Sequence, residues 1–103
     1  MRSGAYILVL FIAITLFSSC RKKHFKCDQE VSFKNDIQPL LDARCNSCHA
    51  YDNYTLVQTS VLSGRLREVT INTAKMPPES EKRLTLKERK KIYCWLEAGA
   101  PDN

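Results

Sequence analysis

Three side chains capable of covalent and coordination chemistry fall within five residues, in the pentapeptide Cys45-Asn46-Ser47-Cys48-His49. Two thiols three positions apart can each add to one of the two vinyl groups at a haem edge. The imidazole that follows is then carried under the iron, where its nitrogen becomes the proximal ligand. The pentapeptide therefore predicts one covalent c-type haem (heme c) per chain, attached through Cys45 and Cys48 and ligated by His49.

Two other kinds of site use the same C-x-x-C spacing. A zinc site needs a second pair of soft ligands, whereas the remaining Cys20, Cys27 and Cys94 are scattered singly along the chain. A thioredoxin-like redox dithiol would lie in a βαβ unit, and no alternation of strand and helix patterns surrounds the motif. Haem attachment is therefore the interpretation that the surrounding sequence favours.

The first nineteen residues have the pattern of an export signal. Arg2 precedes an apolar run over residues 5–17, and Ser18-Ser19-Cys20 follows it. The run is short for a membrane span. Leu16-Phe17-Ser18-Ser19-Cys20 resembles a bacterial lipobox, which predicts a signal peptide over 1–19 and lipidation of Cys20. An ordinary signal peptide and an uncleaved anchor are the alternatives. Each of these places the chain outside the cytoplasm, and the lipobox predicts a membrane-anchored lipoprotein facing the periplasm or the cell surface.

Residues 20–31 are polar and charged with no apolar period, which indicates a tether, and residues 32–103 then form the domain. In an oxidising compartment the cysteines can be assigned by count. Cys20 takes lipid, Cys45 and Cys48 take haem, and Cys27 and Cys94 remain as an even pair. A disulfide between these two is the hypothesis, and two free thiols are the alternative.

The domain carries helical periodicity and no strand pattern. Phe33, Ile37, Leu40 and Leu41 form one stripe, which predicts a helix over about 36–44 after an irregular lead-in, with Asn35 as its N-cap and Pro39 near its first turn. A second helix is expected from about Tyr54 to Gly64, capped by Asp52 or Asn53, with Tyr54, Val57, Val61 and Leu62 on one face. A short helical stretch is expected around Leu66 and Val69. A capping box at Thr85 and Glu88 opens a last helix to about Ala98, with Leu86, Ile92, Tyr93, Trp95 and Leu96 on its apolar face.

The second informative stretch is Ala74-Lys75-Met76-Pro77-Pro78. Two consecutive prolines stiffen the loop directly after Met76, which suits a side chain that must be presented at a fixed position. A methionine packed in the core is the alternative. Once the signal is removed, Met76 is the only methionine, and His24 in the tether is the only other histidine besides His49.

Taken together, these features resemble a small class I, monohaem cytochrome c domain. The matching parts are the helix into the Cys45–His49 motif, the Met76-Pro77-Pro78 loop and the closing helix up to Gly99, over about residues 32–103. The resemblance implies an all-α fold of three to four short helices around one haem, with the first and last helices crossing. It also implies His49 and Met76 as the axial ligands, and it brings Cys94 toward Cys27. No proline follows His49 to supply the carbonyl that often orients this ring, so its orienting group stays open.

Two filled axial positions would leave the iron no open site for substrate. The expected function is therefore one-electron transfer on a membrane-tethered lipoprotein without catalysis of its own, with redox proteins as partners and the chain as a monomer. The alternatives are a haem enzyme or sensor with a labile Met76 that binds peroxide or a diatomic gas, and a haemless adhesion or scaffold module. Arg2 is the only charged residue of the predicted signal peptide. From Cys20 onward, fifteen Lys and Arg and eleven Asp and Glu give a formal net charge of +4. The sequence has no stretch of interleaved basic and aromatic residues that would indicate nucleic acid binding.

Overall fold

Helices supply all of the regular secondary structure in residues 25–103, which are the part of the chain described by the computed structural model. We number the α-helices α1 (Gln38–Arg44), α2 (Tyr54–Leu62), α3 (Arg65–Arg67) and α4 (Leu86–Glu97). Wider π-helical turns, Phe33–Ile37 and Glu68–Asn72, lead into α1 and continue α3. The all-α prediction is confirmed for this range. None of these helices combines the length and the hydropathy that crossing a membrane requires.

The first helical segment has the irregular lead-in that the sequence predicts, but its N-cap lies three residues before Asn35. Ser32, and not Asn35, is the N-cap: its hydroxyl accepts the Asn35 N–H at 3.2 Å, and its own N–H donates to Asp36 Oδ2 at 2.9 Å. The π-helical turn Phe33–Ile37 then passes into α1, with Pro39 in its first turn. Proline, which has no N–H to donate, is tolerated in the first turn of an α-helix. The helix predicted over about 36–44 thus agrees with α1 to within two residues, and only the predicted cap at Asn35 is wrong.

Helix α2 has the predicted bounds to within two residues, and Asn53 caps it by accepting the Leu56 N–H at 3.1 Å. Val57 is fully buried, but Leu62, which the helical spacing places on the same face, is 78% exposed. Gly64 follows with a positive φ of 74°, a conformation that glycine adopts without steric cost, and it turns the chain into α3. The short helical stretch expected around Leu66 and Val69 is present.

Helix α4 carries both hydrogen bonds of the predicted capping box. The Glu88 N–H donates to Thr85 Oγ1 at 3.1 Å, and the Thr85 N–H donates to Glu88 Oε2 at 2.8 Å. Gly99, at φ 92°, ends the helical path as expected. Leu86 is 71% exposed, so its assignment to the apolar face is wrong.

Aromatic rings join the first and last helical segments at the centre of the core. The Phe33 ring lies 5.6 Å from Trp95 and 5.2 Å from Tyr54, the latter edge to face. Trp95 is fully buried and donates its indole N–H to the Pro101 carbonyl at 3.0 Å. The first and last helical segments therefore pack together, as the resemblance implies. The other buried apolar residues of this cluster are Ile37, Leu40, Leu41, Val57, Leu66, Leu84, Ile92 and Ala100.

Asn103 fastens the end of the chain to the beginning of the domain. Its backbone oxygen accepts the Lys34 N–H at 3.0 Å and the Ser32 hydroxyl at 2.7 Å, and its side-chain oxygen accepts the Phe33 N–H at 2.7 Å. These bonds satisfy N–H groups that the first turn of a helix leaves without an intrahelical partner. The first helical segment is thus completed by a residue about 70 positions away.

The structure contains the predicted disulfide between Cys27 and Cys94, whose Cα atoms lie 5.4 Å apart. Residues 25–31 have no regular secondary structure, but they contact α4 at two further points. The Phe25 ring lies 5.6 Å from the Tyr93 ring, and Asp28 forms an ion pair with Lys90 at 3.4 Å. The part of the predicted tether that the structure describes is therefore fixed to the last helix.

Replacing Cys27 and Cys94 together with alanine is expected to lower the free energy of unfolding by about 4 kcal/mol, because the bond closes a loop of 67 residues. Urea unfolding of the wild type and the variant measures this difference. Dithiothreitol should reproduce the loss in the wild type and leave the variant unchanged. Two reactive thiols in the unfolded, unreduced, haem-loaded wild type would contradict the pairing.

Candidate functional site

One cavity, of about 330 Å³, brings together the four side chains that the sequence predicts to hold the cofactor. Cys45, Cys48 and His49 line it, and so does Met76, which comes from a separate segment. Leu66, Val69, Pro77 and Pro78 supply apolar wall. Cavities of roughly 300–1,000 Å³ with apolar walls and a few placed polar groups are typical of sites for small organic molecules.

The cysteine motif forms a tight turn at the end of α1. The Cys45 N–H donates to the Leu41 carbonyl at 2.8 Å, which continues the helical pattern into the motif. The N–H groups of Cys48 and His49 then both donate to the Cys45 carbonyl, at 3.1 and 2.9 Å. This turn directs both thiols and the imidazole to one cavity. The buried residues Ile37 and Leu41 fix α1 against the core and thereby set the position of the turn.

Both motif cysteines are free thiols, Cys45 half-buried and Cys48 exposed. Burial raises the pKa of the Cys45 thiol, so the neutral form is the stable one near pH 7. Among residues 25–103, no three or more His, Cys, Asp and Glu side chains cluster as a group that could hold a metal ion. The described residues therefore do not supply the second ligand pair that the zinc alternative needs.

Met76 is held by its backbone and reaches the cavity from the loop. Its N–H donates to the Val69 carbonyl at 3.0 Å, which joins the loop to the π-helical turn after α3. Pro77 is buried, and the Met76–Pro77 peptide bond is cis. The Met76 side chain remains 37% exposed, so the alternative of a methionine packed in the core is wrong.

An ion pair connects the cavity wall to the last helix. Arg44, which lines the cavity directly before Cys45, donates from Nη2 and Nε to Glu88 Oε1 at 2.8 and 3.2 Å. The Arg44 side chain is only 13% exposed. Hydrogen bonding from Arg44, with a smaller contribution from Thr85, holds the pKa of Glu88 below its ordinary value near 4.5. One carboxylate thus caps α4 and neutralises the arginine beside the motif.

Because the pKa of Glu88 is lower in the folded protein, its stabilising effect is present above the ordinary value and is lost as pH falls through the folded value. We expect Glu88→Gln to cost roughly 1.5–3 kcal/mol at pH 7, the usual range for hydrogen bonds to charged groups. The variant should also lose less stability than the wild type between pH 5 and 3. Urea unfolding at several pH values measures both effects. The variant should still lose some stability in acid because of Asp36, whose pKa is lowered mainly by the hydrogen bond from the Ser32 N–H.

Glu79→Gln is the matched control for this experiment, because Glu79 forms an exposed i,i+4 pair with Arg83. Such surface pairs contribute little to stability. Equal losses in the two variants, or an unchanged acid profile for Glu88→Gln, would contradict the role given to the Arg44–Glu88 pair.

Sequence reasoning missed several side chains at this cavity, among them Arg44, Tyr51 and Arg65. Arg44 directly precedes the motif, which is the one signal that singles it out. Tyr51 lies two residues after His49, and the two rings stack with 5.1 Å between centroids and 9° between planes. Arg65 lies at the start of α3, and its position on the cavity depends on the packing of that helix, which no spacing encodes.

Comparison with known proteins identifies no relative: no protein-family profile, no curated protein and no solved structure matches this chain.

Proposed function

We propose that this protein is a one-electron carrier built around a single covalent haem c. Cys45 and Cys48 would attach the group through thioether bonds, and His49 and Met76 would be its axial ligands. The observation that carries the proposal is the shared cavity, which is lined by all four residues although Met76 is distant from the motif in sequence.

The chemistry of the cavity fits this group. Two free thiols, an imidazole and a thioether are the donors that thioether attachment and His/Met ligation require. The wall formed by Leu66, Val69, Pro77 and Pro78 suits the apolar faces of a porphyrin, because it removes apolar surface from water.

When bound, the haem iron supplies a reversible one-electron couple. The chain's own residues decide how that couple is used. His49 comes from a turn fixed by Cys45 and α1, and the backbone of Met76 is fixed by Val69. With both axial positions filled by side chains, no coordination site is left for a substrate, and the thioether favours the reduced state. The arrangement therefore supports transfer between redox protein partners and not catalysis.

A haem enzyme or sensor with a labile Met76 is the second candidate, and the partial exposure of the Met76 side chain favours it. Carbon monoxide discriminates between the two, since it binds ferrous iron only where an axial position can open. Poor binding by the native ferrous protein supports the carrier, and ready binding supports the enzyme or sensor.

The decisive test is production of the exported protein together with c-type maturation machinery, followed by an optical spectrum and an intact mass. The carrier should show the mass of the polypeptide plus one haem and a six-coordinate spectrum in both oxidation states. A polypeptide without covalent haem would overturn the proposal and favour the adhesion or scaffold module.

We also propose that the chain is a membrane-anchored lipoprotein that faces the periplasm or the cell surface, although Cys20 and the signal peptide lie outside the described residues. Cys20→Ser is expected to move most of the protein from the membrane fraction to the soluble periplasmic fraction, because the acyl chains are lost. Fractionation and immunoblotting measure the distribution. Because the lipobox cysteine is the only residue changed in this variant, unchanged membrane association would indicate an uncleaved anchor.

A further inference from the structure

A histidine that ligates a metal usually has a partner that fixes the orientation of its ring. Among residues 25–103, the only side-chain interaction recorded for His49 is its stack on Tyr51, with 5.1 Å between centroids and 9° between planes. A parallel stack does not fix the ring by hydrogen bonding, but it restricts the plane in which the imidazole can lie. The stack can therefore orient His49 only if Tyr51 is itself held firmly.

Tyr51 is held at three points by three different parts of the structure. Its N–H donates to Asn46 Oδ1 at 3.0 Å, and its carbonyl accepts Gln38 Nε2 at 2.8 Å. Its hydroxyl bonds with Ser60 Oγ at 3.0 Å. The Tyr51 backbone is thereby fixed to the motif turn and to the start of α1, and the hydroxyl fixes its ring to α2.

The two residues that hold the Tyr51 backbone are themselves joined through one carboxylate. Asp42 Oδ1 accepts Asn46 Nδ2 at 2.7 Å and Gln38 Nε2 at 3.0 Å. Positions 38, 42 and 46 lie four apart, so they follow one face of α1 into the motif turn. Asn46 is one of the two residues between the motif cysteines, a position that thioether chemistry leaves free. Here it connects the motif to Tyr51.

We propose that Tyr51 is the positioning residue of His49, and that the Gln38–Asp42–Asn46 network and Ser60 hold it in place so that its ring sets the plane of the axial imidazole. This inference rests on the proposed haem ligation by His49. It assigns to an aromatic stack the orienting role for which the sequence offers no proline carbonyl.

The plane of an axial imidazole determines the rhombic splitting of low-spin ferric iron, and so the spread of its electron paramagnetic resonance g-values and the order of its haem-methyl shifts in proton magnetic resonance. Tyr51→Leu removes the aromatic face but keeps an apolar side chain. In the haem-loaded protein we expect it to change the g-values and the order of the methyl shifts, and to shift the midpoint potential. Tyr51→Phe keeps the aromatic face but loses the bond to Ser60, so it should change all three quantities less than Tyr51→Leu does.

Tyr54→Phe is the matched control, because the Tyr54 hydroxyl bonds to the Ala100 carbonyl at 2.8 Å and Tyr54 does not line the cavity. Its spectra should equal those of the wild type. If Tyr51→Leu also leaves the g-values and methyl shifts unchanged, Tyr51 does not position His49.

A second variant keeps the inference testable if Tyr51→Leu fails to fold or to mature. Asn46→Ala combined with Ser60→Ala releases Tyr51 at two of its three points without altering its ring. This variant should show a broadened or second set of g-values, from imidazoles in more than one plane. A single set identical to that of the wild type would overturn the inference. Absence of covalent haem from the wild type would instead overturn the proposed function, so the two failures are distinguishable.

Discussion

Replacing both Cys45 and Cys48 with serine is expected to abolish covalent haem, so that no haem stain migrates with the polypeptide in denaturing electrophoresis. Each single replacement should leave one thioether, with a red-shifted α-band in the reduced spectrum. The physical reason is that each thiol forms one bond and that both thiols lie in the turn at the end of α1, lining the same cavity. Intact mass spectrometry provides the quantitative measurement.

Ser47→Ala is the control for these variants, because Ser47 is the exposed neighbour within the same turn and carries no thiol. It should keep the full mass of the attached haem. A doubly substituted protein that still retains haem after denaturation would mean that the central assignment is wrong, whatever the behaviour of the single variants.

Replacing Met76 with alanine is expected to lower the midpoint potential by on the order of 0.1 V or more, since the identity of the axial ligand spans about 0.8 V across haem proteins. The ferric wild type should show the weak sulfur-to-iron charge-transfer band near the infrared edge, and the variant should lose it. The vacant position should also admit carbon monoxide or cyanide readily. Optical titration and potentiometry measure all three effects.

Leu62→Ala controls for the loss of an exposed apolar side chain, because Leu62 is 78% exposed and does not line the cavity. It should keep the band and the potential of the wild type. The competing ligand is His24, which lies outside the described residues. If the wild type lacks the band and His24→Ala changes the spectrum, the iron is ligated by two histidines. The proposal of a carrier with a raised potential must then be withdrawn.

Local chemistry explains which parts of the fold the sequence could predict. The capping box at Thr85 and Glu88 is present as predicted, and Asn53 is one of the two caps predicted for α2; both kinds of cap depend on residues three positions apart. The choice of Ser32 over Asn35 could not be made locally. Ser32 is also held by Asn103, whose position depends on the packing of the whole domain.

The same distinction between local and long-range information applies to side-chain exposure and to the residues that line the cavity. Helical spacing assigns Leu62 and Leu86 to apolar faces, yet both lie near the end of a helix, where the neighbouring core stops, and both are exposed. At the cavity, the residues with distinctive chemistry could be named from the sequence. Arg44 and Tyr51 could not, because an arginine or a tyrosine gains its role from contacts with Glu88 or Ser60 that lie across the fold.

The bonds of Asn103 to Ser32, Phe33 and Lys34 have a consequence for the order of assembly. Contacts between residues so far apart in sequence form only after the entropy of closing the intervening loop has been overcome. We therefore expect the first helical segment to gain these bonds late in folding. The cysteine motif and the Met76 loop both lie inside this closing loop. If haem is attached as proposed, an enzyme that acts before closure would meet a first helical segment that still lacks the bonds of Asn103.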